Sequence, residues 1–377
     1  MELLSYFISE FMMQTKTTPQ ELPNQTHHSS TAPEPATSAP MTILDGGMGR
    51  ELEQRGAPFR QPEWSALSLS LAPDSVRDIH LDYIKSGATV ITVNSYAVTP
   101  YHLGDAFFTE GEALIETAAK LAFEAVQANN SQTDKSLNSP KNVKVAGCLP
   151  PLFGSYRPDL FDTEQAPAIA QPLLSAQADY VDMWLVETQS SIVEAQTWHQ
   201  LIEGFTATKK ELMAKTDTLS KPIWIAFTLD DSQLPLDVTT DNTAEADQAI
   251  SPPVLPTLRS GESVAEAIQA MMALNVNAVL FNCSQPEVMA SALQVAKAMI
   301  DETGSPMQLG VYANAFVSKQ SYKQANAQLR QIREDTTPEH YLTWAKLWQG
   351  SGASIIGGCC GIGTEHIEQL AQHLTPQ

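Results

Sequence analysis

Eight short apolar segments, separated by stretches with helical periodicity, recur from residue 42 to the end of the chain. Each segment is rich in β-branched or aromatic residues and nearly continuous in apolar character, as expected of strands buried on both faces. The segments cover residues 42–47, 88–96, 143–149, 181–188, 222–229, 277–284, 308–316 and 353–361. A strand followed by a helix, eight times over, is the order of a (β/α)8 barrel, so we predict an α/β fold with a single TIM barrel.

Two polar insertions, rich in turn-forming residues, lengthen this pattern and are predicted to be loops. Residues 129–142 precede the third segment, and residues 230–263 follow the fifth. Barrel enzymes carry their chemistry at the C-terminal ends of the strands, so the second insertion lies on the active face, and a lid is one hypothesis for it. The clearest helical stretches are 73–87, 111–127, 263–274 and 286–301.

The competing architecture is a doubly wound sheet, which places a glycine-rich phosphate loop after its first strand. Here that turn, residues 45–50, reads Asp-Gly-Gly-Met-Gly-Arg. It matches neither GxGxxG nor GxxxxGK[ST], so the sequence favours the barrel.

Residues 1–40 differ in composition from the rest of the chain. The stretch 14–40 is rich in Thr, Pro, Ser and Gln, so we predict a disordered N-terminal extension, followed by the barrel over residues 41–377. The first residues are apolar but carry Glu2 and Glu10 and no basic residue, unlike a secretory signal. No apolar run reaches the roughly 18 to 20 residues of a membrane span. We therefore expect a cytoplasmic protein.

The charge balance excludes two classes of partner. The chain has 22 Lys and Arg against 43 Asp and Glu, a formal net charge of −21. Binding to nucleic acid or to an anionic membrane surface needs a basic face, so we expect neither partner. Small-molecule substrates remain the expected partners, and the oligomeric state stays open.

Polar and reactive residues cluster where the predicted strands end, and in a barrel these ends meet at one mouth. They are Asp45, Asn94, Ser95, Tyr96, Cys148, Glu187, Thr188, Asp230, Asn282, Cys283, Tyr312, Asn314, Cys359 and Cys360.

Three cysteines form the strongest signal at these strand ends. Cys283 ends the sixth segment, and Cys359 and Cys360 end the eighth, flanked by glycines that let both thiols turn inward. Alternate strands contribute to the same layer, so three thiolates can converge and leave one coordination position open, which predicts a catalytic Zn²⁺ site. The alternative is that these are buried cysteines acting as small hydrophobic residues. Cys148 lies on an odd-numbered strand and is interpreted as cavity wall.

Several stretches in this order resemble the homocysteine S-methyltransferase family. They are LDGGMGRELEQRG (44–56), VNSY (93–96), VETQSS (186–191), LRSGE (258–262), FNCS (281–284), VYANAF (311–316) and GGCCGIG (357–363). The resemblance implies a barrel that transfers a methyl group from a small cationic donor to the thiol of homocysteine, giving methionine. It places the catalytic zinc ligands on Cys283, Cys359 and Cys360.

The same resemblance assigns the substrate amino group to Asp45 and Glu187, and Tyr96 to a tyrosine that can occupy the fourth zinc position without substrate. Backbone amides of 46–49, or Asn94 and Ser95, are candidates for the substrate carboxylate. Asn314, at the end of the seventh strand, completes the predicted substrate-binding set.

The sequence leaves the methyl donor open, because residues 147–160 depart from the GPYGAYLADGSEY-like stretch of the S-methylmethionine enzymes, and Ala313 replaces a common proline. A sulfonium or quaternary ammonium donor suits aromatic faces. The candidate aromatic residues are Trp64, Tyr96, Tyr101, Tyr156 and Trp184. Selenocysteine is an alternative acceptor, and a zinc hydrolase or a non-catalytic zinc-binding barrel are alternative functions.

Overall fold

A computed structural model describes residues 41–131, 140–213, 220–232, 255–316 and 332–375. Its eight strands form one sheet, and each coincides with one of the eight predicted apolar segments. The strands are β1 (Thr42–Ile43), β2 (Val90–Thr92), β3 (Lys144–Leu149), β4 (Met183–Gln189), β5 (Ile223–Phe227), β6 (Ala278–Asn282), β7 (Gln308–Ala313) and β8 (Ile355–Gly358).

Every strand pair is parallel, in the order β1-β8-β7-β6-β5-β4-β3-β2. The two ends of this order also meet. The amide of Thr89 donates to the carbonyl of Ile43 at 2.8 Å, and the amide of Asp45 donates to the carbonyl of Val90 at 3.1 Å. These bonds bring β1 beside β2 and close the circle. The predicted TIM barrel is therefore confirmed, and the doubly wound alternative is excluded.

The described residues contain eleven α-helices, which include the four stretches with the clearest helical pattern. Pro73 and Pro286 open two of them, where a missing amide hydrogen costs nothing. The helices are α1 (Met48–Gln54), α2 (Ala66–Leu71), α3 (Pro73–Lys85), α4 (Pro100–Leu103), α5 (Phe107–Ser131), α6 (Ala166–Gln177), α7 (Ile192–Met213), α8 (Val264–Ala273), α9 (Pro286–Thr303), α10 (Pro338–Gly350) and α11 (Thr364–Leu374).

The apolar core has two layers because each strand is buried on both faces. One layer packs the helices against the outside of the barrel and contains large residues such as Trp184 and Trp348. The second layer fills the barrel interior and includes Leu44, Leu185 and Ile355. A filled interior leaves the rim at the C-terminal strand ends as the place for a site.

Two predictions lie outside the described residues. They are the disordered extension over residues 1–40 and the lid hypothesis for 230–263, most of which is not described. Among the described residues, no helix combines the length and apolar character needed to cross a membrane.

Candidate active site

A cavity of about 200 Å³ opens at the C-terminal ends of the strands. It contains most of the predicted site residues, although they come from distant parts of the chain. The predicted residues that line it are Asp45, Asn94, Tyr96, Glu187, Cys283, Tyr312, Cys359 and Cys360. The barrel topology explains this convergence, since all eight strand ends point to one face.

The three predicted cysteine ligands lie together in the wall of this cavity. Their sulfur atoms all fall within 4.8 Å of one another, so the cluster can hold a metal ion. The Sγ atoms of Cys359 and Cys360 are 4.0 Å apart. Cys283 and Cys359 are joined by a disulfide in this structure, with Cα atoms 5.8 Å apart. Metal binding at this cluster therefore requires the reduced thiols.

Unusual backbone angles bring the cysteines inward. Cys283 has φ of 49°, a left-handed conformation that is uncommon for a residue with a side chain and that recurs at functional sites. Gly361, with φ of 84°, turns the chain directly after the cysteine pair. A side chain on Gly47 would place its Cβ 2.7 Å from the carbonyl oxygen of Cys359, so glycine lets the loop after β1 pack against the cysteine loop.

Asp45 is held at the end of β1 with only 7% of its surface exposed. The amide of Thr92 donates to its Oδ2 at 2.8 Å, and the hydroxyl of Thr92 donates to Oδ1 at 3.2 Å. Burial nevertheless dominates and raises the pKa of Asp45 to about 7. A carboxylate in this environment is strongly stabilised by a cation that enters the cavity.

Glu187 is the second buried carboxylate of the cavity, with 9% of its surface exposed. The thiol of Cys148 donates to Oε1 at 2.9 Å, and the hydroxyl of Tyr312 donates to Oε2 at 3.4 Å. Burial raises its pKa to about 7 in spite of these bonds. The two acids thus share the same electrostatic character, that of desolvated groups that favour a cationic partner.

A β-bulge in β4 sets the direction of Glu187. The pairing of β4 with β5 shifts register between Val186 and Gln189, and Thr188 has φ of 65°. Asn282, the last residue of β6, accepts from the Thr188 amide at 3.2 Å and donates to its hydroxyl at 2.9 Å. Bulges commonly redirect a side chain beside a site, and this one connects the Glu187 segment to the strand that precedes Cys283.

Six of the strand-end residues predicted for the mouth do not line the cavity: Ser95, Cys148, Thr188, Asp230, Asn282 and Asn314. Cys148 is fully buried and does not line the cavity, so the interpretation of Cys148 as cavity wall is wrong. The hydroxyl of Ser95 donates to the carbonyl of Cys148 at 3.2 Å, and Asn314 Oδ1 accepts from the amide of Phe316 at 3.1 Å. Neither Ser95 nor Asn314 lines the cavity, so the geometry does not place them in contact with a substrate.

Asn94 and Tyr96 line the cavity as predicted from the end of β2. The Asn94 amide donates to the carbonyl of Ser65 at 3.3 Å. The hydroxyl of Tyr96 lies 2.5 Å from Oγ of Ser155, a residue in the loop after β3. Both side chains are oriented by these bonds.

Aromatic residues form much of the remaining wall. Of the five predicted candidates, Trp64, Tyr96 and Tyr156 line the cavity, whereas Tyr101 and Trp184 do not. Phe59 and Phe316 also line it, and the rings of Phe59 and Trp64 meet edge to face at 5.3 Å. Neither phenylalanine was predicted. Phe59 lies in a loop, and Phe316 closes the predicted seventh segment but follows the observed end of β7, so no periodicity indicates the direction of either side chain.

Arg259, in the LRSGE stretch, packs against the ring of Tyr156. The guanidinium carbon of Arg259 lies 4.4 Å from the centre of the Tyr156 ring, and Arg259 pairs with the buried carboxylate of Asp231 at 2.9 Å. The Tyr156 hydroxyl donates to the carbonyl of Cys283 at 3.3 Å. This chain of contacts couples the loop after β3 to the cysteine cluster.

Residues 42–374 match the family model described as homocysteine S-methyltransferase. The chain is 26% identical to a selenocysteine methyltransferase of Astragalus bisulcatus, over 84% of this chain and 88% of that protein. It is also 26% identical to homocysteine S-methyltransferase YbgG of Bacillus subtilis, over 88% of this chain and 94% of that protein.

A similar fold occurs in the metallated form of the homocysteine methyltransferase MmuM from Escherichia coli. The TM-score is 0.64 at 24% identity, covering 89% of this chain and 96% of that one. The match to the family model extends over nearly the whole described barrel and confirms the resemblance predicted from the sequence motifs. The chain belongs to the homocysteine S-methyltransferase family.

Proposed function

We propose that this chain transfers a methyl group from a small cationic donor to the thiol of homocysteine, giving methionine, with Zn²⁺ held by Cys283, Cys359 and Cys360. One observation carries the proposal: the three thiol sulfurs and the carboxylates of Asp45 and Glu187 line the same cavity. Homocysteine carries a thiol and an ammonium group, and this cavity offers a matching partner for each.

The donor set supports zinc as the metal. Three soft thiolates favour Zn²⁺, and three protein ligands leave a position open, as in catalytic zinc sites. Sulfur atoms at about 2.3 Å from a tetrahedral zinc lie about 3.8 Å from each other. The 4.0 Å between the sulfurs of Cys359 and Cys360 fits this spacing. Bound by Cys283, Cys359 and Cys360, zinc would supply Lewis acidity that keeps the acceptor thiol deprotonated at neutral pH.

The acid pair orients the acceptor. Asp45 and Glu187 are buried, and each has a pKa of about 7, so each gains a favourable partner when an ammonium enters. The bonds from Thr92 to Asp45, and from Cys148 and Tyr312 to Glu187, fix both carboxylates before substrate arrives. Holding the ammonium in this way positions the sulfur for attack, and positioning is a large part of the catalysis.

The methyl transfer itself is an in-line displacement. The acceptor sulfur forms a bond to the methyl carbon, and the bond from that carbon to the donor's sulfonium or ammonium atom breaks. The electron pair of the broken bond stays on the donor atom, which leaves as a neutral sulfide or amine. The aromatic residues Phe59, Trp64 and Phe316 exclude water and stabilise the cationic donor before transfer.

Selenocysteine is a second candidate acceptor, supported by the similarity to the Astragalus enzyme. Its selenol would use the same thiolate cluster and the same acid pair. We also place the reaction in the cytoplasm, since a cluster of three thiolates is best maintained in a reducing compartment.

A methylation assay tests the proposal. Reduced, zinc-loaded protein is incubated with each acceptor and, separately, with S-methylmethionine, S-adenosylmethionine, glycine betaine and dimethylsulfoniopropionate, and products are quantified by mass spectrometry. We expect methionine from homocysteine with at least one donor, and its loss in Cys360→Ala. Absence of methionine from a protein that carries one equivalent of zinc would overturn the proposal. Preferential methylation of selenocysteine would show that selenocysteine, and not homocysteine, is the acceptor.

A further inference from the structure

The chain at the end of β7, residues 313–316, lies beside the cysteine pair, and we call it the spacer segment. The amide of Cys359 donates to the carbonyl of Ala313 at 3.0 Å, and the amide of Ala315 donates to the carbonyl of Cys360 at 2.9 Å. These two bonds continue the pairing of β7 with β8 beyond the end of the regular strands. The position of the cysteine pair therefore depends on the position of the spacer segment.

The same part of the chain is also bonded to the segment that carries Cys283, because β7 lies between β6 and β8 in the sheet. The amide of Cys283 donates to the carbonyl of Tyr312, directly before the spacer segment, at 3.2 Å. The amide of Asn314 donates to the carbonyl of Ser284 at 3.2 Å. The spacer segment thus sets the distance between Cys283 and the cysteine pair.

Gln285, two residues after Cys283, holds the spacer segment through its buried side chain. Its Nε2 donates to the carbonyl of Phe316 at 2.6 Å, and its Oε1 accepts from Nη1 of Arg333 at 2.7 Å. Its backbone amide donates to the buried carboxylate of Asp231 at 3.0 Å. Gln285 is therefore fixed by its own neighbours and bonds the far end of the spacer segment.

Arg333 holds the spacer segment from another part of the chain. Its backbone amide donates to the carbonyl of Ala315 at 2.8 Å. Its guanidinium lies 2.6 Å from a carboxylate oxygen of Glu287 and 2.6 Å from one of Asp335, and only 11% of its side chain is exposed. A planar guanidinium that is bonded to two carboxylates is a rigid support for the side chain of Gln285.

Neither Gln285 nor Arg333 lines the cavity, so the geometry does not place either side chain in contact with a substrate. Their effect on the site has to pass through the spacer segment. The cysteine pair lies beyond the last residue of β8, Gly358, and Cys283 beyond the last residue of β6, Asn282, so regular strand pairing alone does not fix the thiols. Groups behind the ligands of a metal site commonly change its metal affinity 10- to 100-fold.

We propose that Gln285 and Arg333 are positioning residues of the metal site, which hold the spacer segment so that Cys283 and Cys360 face the same ion. The bond between Gln285 and Arg333 joins the two points at which the spacer segment is held, so loss of either side chain frees the other. The inference rests on the zinc site of the proposed function, but it is independent of the acceptor and of the methyl donor.

Zinc affinity tests this inference without any substrate. Reduced protein competes with a chromogenic chelator for Zn²⁺, and we expect Gln285→Leu and Arg333→Gln each to weaken zinc binding roughly 10- to 100-fold. Arg333→Lys should recover part of the loss, because it keeps the charge but cannot reproduce the fork. The double variant Gln285→Leu with Arg333→Gln should bind zinc no more than about twofold more weakly than the weaker single variant, since both changes break the same bond.

The geometry of the ligands is measured with Co²⁺ in place of zinc. Its visible absorption bands report how closely the thiolates approach a tetrahedron. In Gln285→Leu these bands should weaken and shift relative to the unaltered protein. A loss of global stability alone would reduce the fraction of folded protein but leave the shape of the spectrum unchanged.

Gln177→Leu is the matched control, the same change at a fully buried glutamine. Gln177 bonds the backbone of Cys148 and has no bond to the spacer segment among those described. Its replacement should lower the urea midpoint of the metal-free protein, as Gln285→Leu does, because both leave buried polar groups without partners. It should change neither the zinc affinity nor the Co²⁺ spectrum.

Unchanged zinc affinity in Gln285→Leu and Arg333→Gln would overturn the inference, and so would an equal loss in Gln177→Leu. If Gln285→Leu does not fold, Arg333→Lys still decides, because its affinity should fall roughly 3- to 10-fold and an unchanged value would overturn the inference. An unaltered protein that binds zinc but forms no methionine, with both variants weakened as expected, would overturn the proposed reaction alone. An unaltered protein that binds no zinc would overturn both.

Discussion

The thiol of Cys148 donates a 2.9 Å hydrogen bond to Oε1 of Glu187 from behind the cavity wall. Gln177 holds the backbone of Cys148 on both sides, accepting from its amide at 3.0 Å and donating to its carbonyl at 3.1 Å. Burial raises the pKa of the Cys148 thiol well above its usual value, so it remains a donor rather than a thiolate. The fourth cysteine of the chain therefore positions a carboxylate and lies apart from the cluster of Cys283, Cys359 and Cys360.

Removing this donor should impair substrate binding more than chemistry. Cys148→Ala leaves Oε1 of Glu187 without its thiol partner, and we expect the KM for homocysteine to rise roughly 3- to 10-fold, because a thiol is a weak donor. Steady-state kinetics should show kcat changed less than KM. Cys148→Ser should recover most of the loss, since its hydroxyl can donate to the same oxygen. A fall in zinc content in either variant would contradict this assignment.

Metal content should depend on the redox state of the cluster. The disulfide between Cys283 and Cys359 removes two of the three thiol ligands, so oxidised protein should bind less than about 0.1 equivalents of zinc. After reduction, atomic absorption should find one equivalent. Cys360→Ser should weaken zinc binding by at least about tenfold, whereas Cys148→Ser should retain one equivalent. Full zinc occupancy in the oxidised protein would contradict the ligand set.

The affinity for homocysteine should increase with pH. Burial raises the pKa of Asp45 and of Glu187 to about 7, so below pH 7 both are largely neutral and cannot pair with an ammonium. The apparent KM should therefore fall between pH 6 and pH 8. Glu187→Gln should raise the KM at pH 8 and flatten this dependence, which separates the carboxylate from the titration of the substrate thiol. An unchanged slope in the variant would exclude Glu187 as its source.

The same carboxylate should lower the stability of the metal-free protein at high pH. The folded-state pKa of Glu187 is raised from 4.5 to about 7, so its contribution to stability is complete below pH 4.5 and is lost as pH rises through 7. Glu187→Gln cannot ionise. Its free energy of unfolding should exceed that of the unaltered protein by about 2–3 kcal/mol at pH 8, with no gain at pH 4.5. Urea titrations at both pH values measure the difference.

A matched control distinguishes burial from a general effect of removing a negative charge. Glu302→Gln lies on the exposed face of α9 and should change the free energy of unfolding by less than about 0.5 kcal/mol at either pH. An equal gain in both variants would show that net charge, rather than desolvation of Glu187, controls the stability.

The fold and the cysteine cluster could be predicted because their signals are local. A strand buried on both faces must be apolar along its whole length, so eight such segments in alternation with helices indicated the barrel. Cys283, Cys359 and Cys360 were brought to one cavity by the same reasoning, since parallel strands share an end. Asp45 and Glu187 followed from their positions directly at strand ends.

Cys148 shows where this reasoning fails. Assignment by odd and even strands correctly separated it from the cluster of the other three cysteines. It wrongly made Cys148 a wall residue of the cavity, because the alternation does not say how deep in the barrel a side chain ends. Its partner Glu187 owes its direction to a β-bulge and to the bonds between Thr188 and Asn282, which are 94 residues apart. No property of the β4 segment alone predicts that bulge.

The barrel, its strand order and the set of reactive strand ends thus depend on patterns readable within short stretches of chain. The bond from Cys148 to Glu187 joins two neighbouring strands, and the contact of Arg50 with Phe316 joins a helix to the segment after β7. Neither pair can be read from one short stretch of chain. Loop backbones follow no repeating period, so their side-chain directions are not readable from sequence. Burial raises the pKa of a carboxylate only when neighbours from several strands surround it. Packing of the whole barrel therefore decides which polar residues face the substrate and which support it from behind.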